Sequence, residues 1–258
     1  MSLATIPLVW RLAVYLLAGV AGGISNGIAG GGTFITFPTL LAMGISALQA
    51  NVSVTVGIVP SFIGGVRGFR HELKNQWRLV RALVAPCVAG TVVGCVLLLT
   101  GTPSTFRLVV PWLIGAGTML FAFAPRITRR LSHIDHQHPG RRRVLVVGIF
   151  LVSVYGGYFG AGLGILILAL LAVTLPLELK DLQGLRIALS VIISASAALI
   201  FVVRGHLALD AVYMLLIGTL IGGWLGTILI LRLSPTVVRL LVIATGAITT
   251  IRLLVGGS

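Results

Sequence analysis

Charge is what this sequence has least of. Only 9 % of its 258 residues are charged and only five are acidic: Glu72, Asp135, Glu178, Asp181 and Asp210. Soluble domains carry about 25 % charged side chains. From Leu12 to Val66 there is no Asp, Glu, Lys or Arg, and one bilayer-spanning helix needs only about 20 apolar residues. These absences exclude a soluble globular domain. Cysteine is scarce too. Cys87 and Cys95 stand eight residues apart on one apolar span, which excludes a CxxC site and reads as two buried thiols.

Chemistry of the enzymatic kind is also missing. No carboxylate pair, metal cluster or activated nucleophile is visible, so no catalytic residue, cofactor or enzyme activity is expected. His71 and His206 stand at segment ends without partners. His133, His136 and His138 with Asp135 cluster in a basic linker at a spacing that fits no metal-ligand pattern, and they read as a solvated loop. All five acids fall in loops or at segment ends, so no embedded carboxylate marks a proton or sodium relay. A coupling proton or ion therefore stays open as a partner.

What is there is apolar residue and positive charge. Hydrophobic residues make up 57 % of the chain and the mean hydropathy is +1.11. This predicts an all-α, polytopic integral membrane protein with about eight to ten crossings. The first apolar run holds only Arg11 as a positive charge, shows no small-residue cleavage site and reads as a retained span. Nineteen Lys and Arg give a formal net charge of +14. A soluble protein so basic would suggest nucleic acid, but no stripe of interleaved basic and aromatic residues is present. The charge instead reports topology, since Lys and Arg collect in cytoplasmic loops beside anionic lipid.

The apolar segments come in two sets of five. The first set covers about 8–27, 33–44, 48–66, 79–99 and 105–124, and the second about 144–158, 163–177, 187–203, 211–231 and 236–255. GIAGGG at 27–32 lies against GYFGAG at 157–162, and GTVVG at 90–94 against GGWLG at 222–226. Pro103 and Arg107 lie against Pro235 and Arg239, at the same offset of 132 residues as Gly90 and Gly222. The expected organisation is a first transmembrane repeat over 1–125, a basic linker over 126–143 and a second repeat over 144–258. Internal repeats of this kind build many secondary transporters, with the substrate site between the halves.

The most basic loops, 67–81 and 126–143, are separated by two apolar segments and so lie on one side, which the positive-inside rule makes cytoplasmic. Charge counting separates parallel from inverted halves poorly, with 14 against 5 in one arrangement and 15 against 4 in the other. Segments 33–44 and 163–177 are short for a bilayer, which favours eight full crossings, four in each half, and hence parallel repeats.

Two glycine clusters interrupt the apolar sequence: Asn26 to Thr33, including Gly30, Gly31 and Gly32, and Gly156 to Gly164, including Gly160 and Gly162. Broken helices cannot face lipid and must be buried in protein or line a cavity. A helix restarting there aims its positive dipole end at that cavity, which favours an anion. Close helix packing of the GxxxG kind is the other reading of the same glycines. Polar residues follow each break, namely Asn51, Ser53 and Thr55 in the first half and Arg186, Ser190 and Ser194 in the second. Residues 51, 53 and 55 do not share one helical face, whereas Ser190 and Ser194 do. For these hydroxyls and amides, substrate contact and interhelical or backbone bonding are both open. Arg186 could meet an anion, pair with Asp181 or reach out to the interface.

These breaks, each followed by a short apolar segment, a polar-dotted span and a GxxxG span, resemble the TauE/SafE family of sulfite exporters over about residues 12–255. Gly27 to Gly32 followed by Pro38 is similar to that family's first signature, and Gly157 to Gly164 to its second, degenerate copy. Gln49 to Ser53 departs from the small-residue and Thr-Ser pattern common in the family. The resemblance implies a permease moving a small anion, such as sulfite, a sulfonate or another organosulfur acid, across a bacterial inner membrane. The expected site comprises Asn26, Gly30, Gly31, Gly32, Thr33, Asn51, Ser53, Thr55, Gly160, Gly162, Arg186, Ser190 and Ser194. An ion channel or a non-transporting membrane assembly component are the rival readings, and a homodimer is left open.

Overall fold

The computed structural model describes residues 7–131, 141–229 and 235–255, and among them there is helix and no strand. α1 (Leu8–Ala29) follows Pro7, and α2 (Thr33–Ala42) contains Pro38. α3 (Ala47–Ile58) is capped by the Ser46 side chain, which accepts from the Gln49 amide, as expected of a serine N-cap. A single 3-10 turn over Val59–Ser61 leads into α4 (Phe62–Gly68) and the short α5 (Arg70–Asn75). α6 (Trp77–Thr100) and α7 (Pro103–Leu131) complete the first half. The second contains α8 (Arg141–Tyr158), α9 (Leu163–Thr174), α10 (Leu179–Arg204), α11 (Leu209–Leu229) and α12 (Pro235–Val255).

Length divides these helices into two kinds. Among the described residues, five stretches are long and apolar enough to cross a membrane by length and composition alone: Leu8–Gly27, Ala47–Gly68, Trp77–Thr100, Leu179–Arg204 and Leu209–Gly226. α2 and α9 have 10 and 12 residues, or about 15 and 18 Å at 1.5 Å per residue, against about 30 Å of hydrocarbon. Large apolar side chains such as Trp10, Leu17, Trp112, Met119, Leu199 and Val203 are exposed on the outside. An apolar exterior of this extent is a surface made for lipid.

Small residues set the helix pairing. α1 lies along α11, where a Cβ on Gly19 would be 3.1 Å from Gly218 and one on Gly222 2.1 Å from the Val20 carbonyl oxygen. α6 lies along α8, where a Cβ on Gly94 would be 2.1 Å from the Val154 carbonyl oxygen. In both pairs residue numbers rise together, from Gly19–Gly218 to Gly226–Ile24 and from Gly90–Phe150 to Gly94–Val154, so the partners run parallel. α7 and α12 touch at Gly115–Thr250 and Gly246–Thr118 and run antiparallel.

The helix directions also show how the short segments are placed. α2 does not continue α1 but turns back beside it: Gly32 and Thr36 touch Gly22, and Met43 reaches the level of Val14. α9 turns back beside α8 in the same way, with Leu170 against Gly148 and the Thr174 carbonyl at Arg141. Hydropathy is blind to this, because an apolar segment has the same composition in either direction. Arg67, Arg70, Lys74, Arg78 and Arg81 come to the same face as Arg141, Arg142 and Arg143, called the basic face below. Arg11, Arg107, Arg204 and Arg252 lie towards the opposite face.

Two apolar clusters fill the interior. One gathers Tyr15, Phe34, Phe37, Phe159 and Phe201 towards the opposite face, and the other gathers Val80, Leu83, Ile149, Ile167 and Leu185 towards the basic face. They meet at the second glycine break, where Ala161 belongs to the first and Leu163 to the second.

Candidate functional site

α1 stops because Gly30 adopts the left-handed conformation at φ 75°, and its N–H donates to the Asn26 carbonyl at 3.0 Å. Residues with a Cβ meet a penalty of about 1–2 kcal/mol in that conformation. The second break uses two such residues, Gly160 at φ 75° and Gly162 at φ 73°. It is stapled by the Tyr155 hydroxyl, which donates to the Ala161 carbonyl at 2.5 Å.

The two breaks come together, as a Cβ added to Gly30 would lie 3.4 Å from the Cα of Gly164. Between them sits Arg186, eight residues into α10. Its Nη1 would be 2.8 Å from a Cβ on Gly30 and 2.9 Å from one on Gly164, so a side chain at either position would push the guanidinium from where it lies. Arg186 is only 6 % exposed, and its Nε has no hydrogen-bond partner. It forms no ion pair with any described residue, Asp181 included; an ion pair does join Arg11 to Asp210, between α1 and α11. A buried cation without a partner is costly unless an anion or water compensates it.

That cation opens onto a cavity of about 30 Å³ bounded by Asn26, Gly30, Thr33, Gly160, Gly164, Ser190 and Ser194, with Ile58, Phe62 and Leu163 as its apolar walls. This is about one water's share of liquid volume. Asn26 is held in place through its Nδ2, which donates to Ser61 Oγ at 2.7 Å, and Ser61 donates to the Ile58 carbonyl at 2.6 Å. Ser190 and Ser194 present one face of α10, one turn apart.

Towards the opposite face lie a closely packed gap, with no room for a water, and then a groove. Thr33 is shared with the gap, lined by Phe34, Phe37, Ile114 and Phe159. Pro38 is shared between that gap and an open groove of about 470 Å³ bounded by Val14, Met43, Thr249, Arg252 and Leu253. All three lie along α2. The constriction between them is aromatic, with the rings of Phe37 and Phe159 edge to face at 5.4 Å and Phe106 against Phe159 at 6.3 Å.

Of the residues singled out in the sequence, Asn26, Gly30, Thr33, Gly160, Arg186, Ser190 and Ser194 border the cavity. Gly32 and Gly162 do not; Gly32 packs on Gly22 and Asn26, and Gly162 on the Phe34 ring. Gly31 is buried in the same break and is not among the lining residues. Asn51, Ser53 and Thr55 are engaged with backbone. Asn51 donates to the Tyr158 carbonyl at 2.9 Å, Ser53 accepts from the Ala208 amide at 2.9 Å, and Thr55 donates to the Asn51 carbonyl at 2.9 Å. The first of these satisfies a carbonyl that the end of α8 leaves open. The expected site did not include Ile58, Phe62, Leu163 or Gly164; Leu163 and Gly164 carried a signal, as members of the second glycine cluster. His133, Asp135, His136 and His138 lie outside the described residues.

The model of the family described as "Sulfite exporter TauE/SafE" matches residues 15–253. A "Probable membrane transporter protein" of Haemophilus influenzae is 21 % identical over 249 residues, covering 94 % of each chain. The "Probable membrane transporter protein YfcA" of Escherichia coli K12 is 25 % identical over 250 residues, covering 94 % of this chain and 89 % of the relative. The "Probable membrane transporter protein ORF9" of a Sinorhizobium species is 28 % identical over 158 residues, or 59 % of this chain and 58 % of its own length. No solved structure matches the chain.

Proposed function

This chain belongs to the TauE/SafE sulfite exporter family and is a multi-pass membrane transporter, and we propose that its substrate is a small anion, such as sulfite, a sulfonate or another organosulfur acid. The observation that carries this reading is Arg186, buried and unpaired between two glycine breaks. A guanidinium presents a planar fork of donors matched to oxyanions, and Ser190, Ser194, Thr33 and Asn26 add neutral hydrogen-bonding groups around it. At about 30 Å³ the cavity is smaller than such an anion, so binding requires its walls to part.

The two halves are an inverted repeat, each making five passes. Supporting this, the packing is reciprocal: α1 of the first half lies on α11 of the second, and α8 of the second lies on α6 of the first. Alternating access in such folds comes from one part rocking against the other around a central site. The basic face, with loops 67–81 and 126–143, is cytoplasmic, and the membrane is a bacterial inner membrane, as the relatives' sources suggest. The route to the other face runs along α2, past Phe37 and Phe159, into the groove beside Arg252.

The test is uptake of radiolabelled sulfite, sulfate and a small sulfonate into proteoliposomes holding the full chain. Saturable flux of one of them, with counterflow, is expected. Flux that tracks conductance without saturation would favour a channel, and no flux of any anion would remove the anion reading.

A further inference from the structure

We propose that the species carried is a monoanion and that each transport cycle moves one net negative charge across the membrane without a protein-borne proton. This rests on the anion-site reading above. Arg186 is the one charged residue bordering the cavity. The groups around α10 supply no counter-charge. His71, Glu72 and Lys74 of α5, Arg78 and Arg81 of α6, Arg141 to Arg143 of α8 and Lys180 and Asp181 of α10 itself all lie towards the basic face, and none pairs with Arg186. Tyr155 and Tyr158 of α8 are neutral, and the Tyr155 hydroxyl is engaged with Ala161. α3, α4 and α9 contribute only Arg67, also towards the basic face.

The charge balance follows. The empty site carries one positive charge; with a monoanion it is neutral, with a dianion it carries one negative charge, and with an undissociated acid it stays positive. Only the monoanion leaves no uncompensated charge in a buried, low-dielectric site. The loaded carrier then reorients as a neutral complex, and the empty carrier returns with the Arg186 charge. The sum over one cycle is one substrate molecule and one negative charge moved together. Among the described residues, the acids Glu72, Glu178 and Asp181 lie towards the basic face and Asp210 pairs with Arg11 towards the other, so no carboxylate accompanies the substrate.

The experiment uses full-length protein in liposomes with a potassium diffusion potential set by valinomycin. Radiolabelled methanesulfonate, a monoanion at every working pH, is the first probe and sulfite the second. An interior-positive potential should raise initial methanesulfonate uptake several-fold, with no proton entry by an interior pH dye. Exchange of labelled for unlabelled substrate at equilibrium should be indifferent to potential, because only neutral complexes reorient. Sulfite uptake should fall in step with the hydrogensulfite fraction as pH rises through its second ionisation. Net uptake indifferent to potential, accompanied by protons, or tracking the sulfite dianion would overturn the proposal while leaving a transporter whose substrate affinity Arg186→Gln still weakens. Absence of flux for both anions would overturn the anion site, and this proposal with it.

Discussion

Gly30 and Gly164, 134 positions apart in the chain, meet in the interior so closely that a side chain on either would strike the guanidinium of Arg186. The contact joins the two glycine breaks into one cavity wall, and both residues are small for the same reason. Gly30→Ala should therefore lose transport almost completely. Its Cβ would stand 2.8 Å from Arg186 Nη1, and the left-handed backbone adds about 1–2 kcal/mol of destabilisation. Flux assays beside thermal unfolding in detergent check this; normal flux in a folded variant would remove Gly30 from the site.

Arg186→Gln should weaken substrate affinity about 10- to 100-fold, the scale of a charge-assisted hydrogen bond worth about 1.5–3 kcal/mol. Its melting temperature should hold or rise, since an unpaired buried charge is removed. Binding titration and calorimetry on the same preparation separate the two effects. A fall in stability with affinity intact would make Arg186 a structural residue.

Asn51→Ala should do the reverse. It strands the Tyr158 carbonyl at the end of α8, at about 1–3 kcal/mol, and should leave the substrate KM unchanged in the protein that still folds. A raised KM without loss of stability would return Asn51 to the binding site.

Phe159→Ala removes the ring that faces both Phe37 and Phe106. Both native cysteines are buried, so an introduced Ser194→Cys gives a clean reporter. Alone it should react slowly with a membrane-impermeant thiol reagent added from the opposite face, and at least 10-fold faster when combined with Phe159→Ala. Equal rates would place the access route elsewhere than along α2.

Much of this was legible in the sequence, for reasons that can be named. Gly30 to Gly32 and Gly160 to Gly162 stand out because clustered glycines in an apolar run interrupt a helix, and Arg186 because a charge there needs a purpose. That Arg186 has no partner was not legible, since Asp181 is near enough in sequence to supply one and only the fold shows that it does not. The roles of Asn51 and Ser53 depend on the Tyr158 carbonyl and the Ala208 amide, brought to them from 107 and 155 residues away. Phe37 and Phe159 are invisible as a constriction among so many other apolar residues. The direction of α2 escaped for a related reason, because the two charge counts differ by one residue.

The pairing of α1 with α11 also sets the order in which the molecule can be built. Gly19, Gly23 and Gly27 shape a seam whose partner, around Gly218 to Gly226, is synthesised about 200 residues later. α6 likewise waits for α8. The nascent first half thus sits in the membrane with two unmatched small-residue faces, and its closure is a long-range, post-insertional event of the kind that folds slowly and depends on late contacts. Neither half can complete its own interior, so separately synthesised halves should be unstable alone yet able to restore one another when made together.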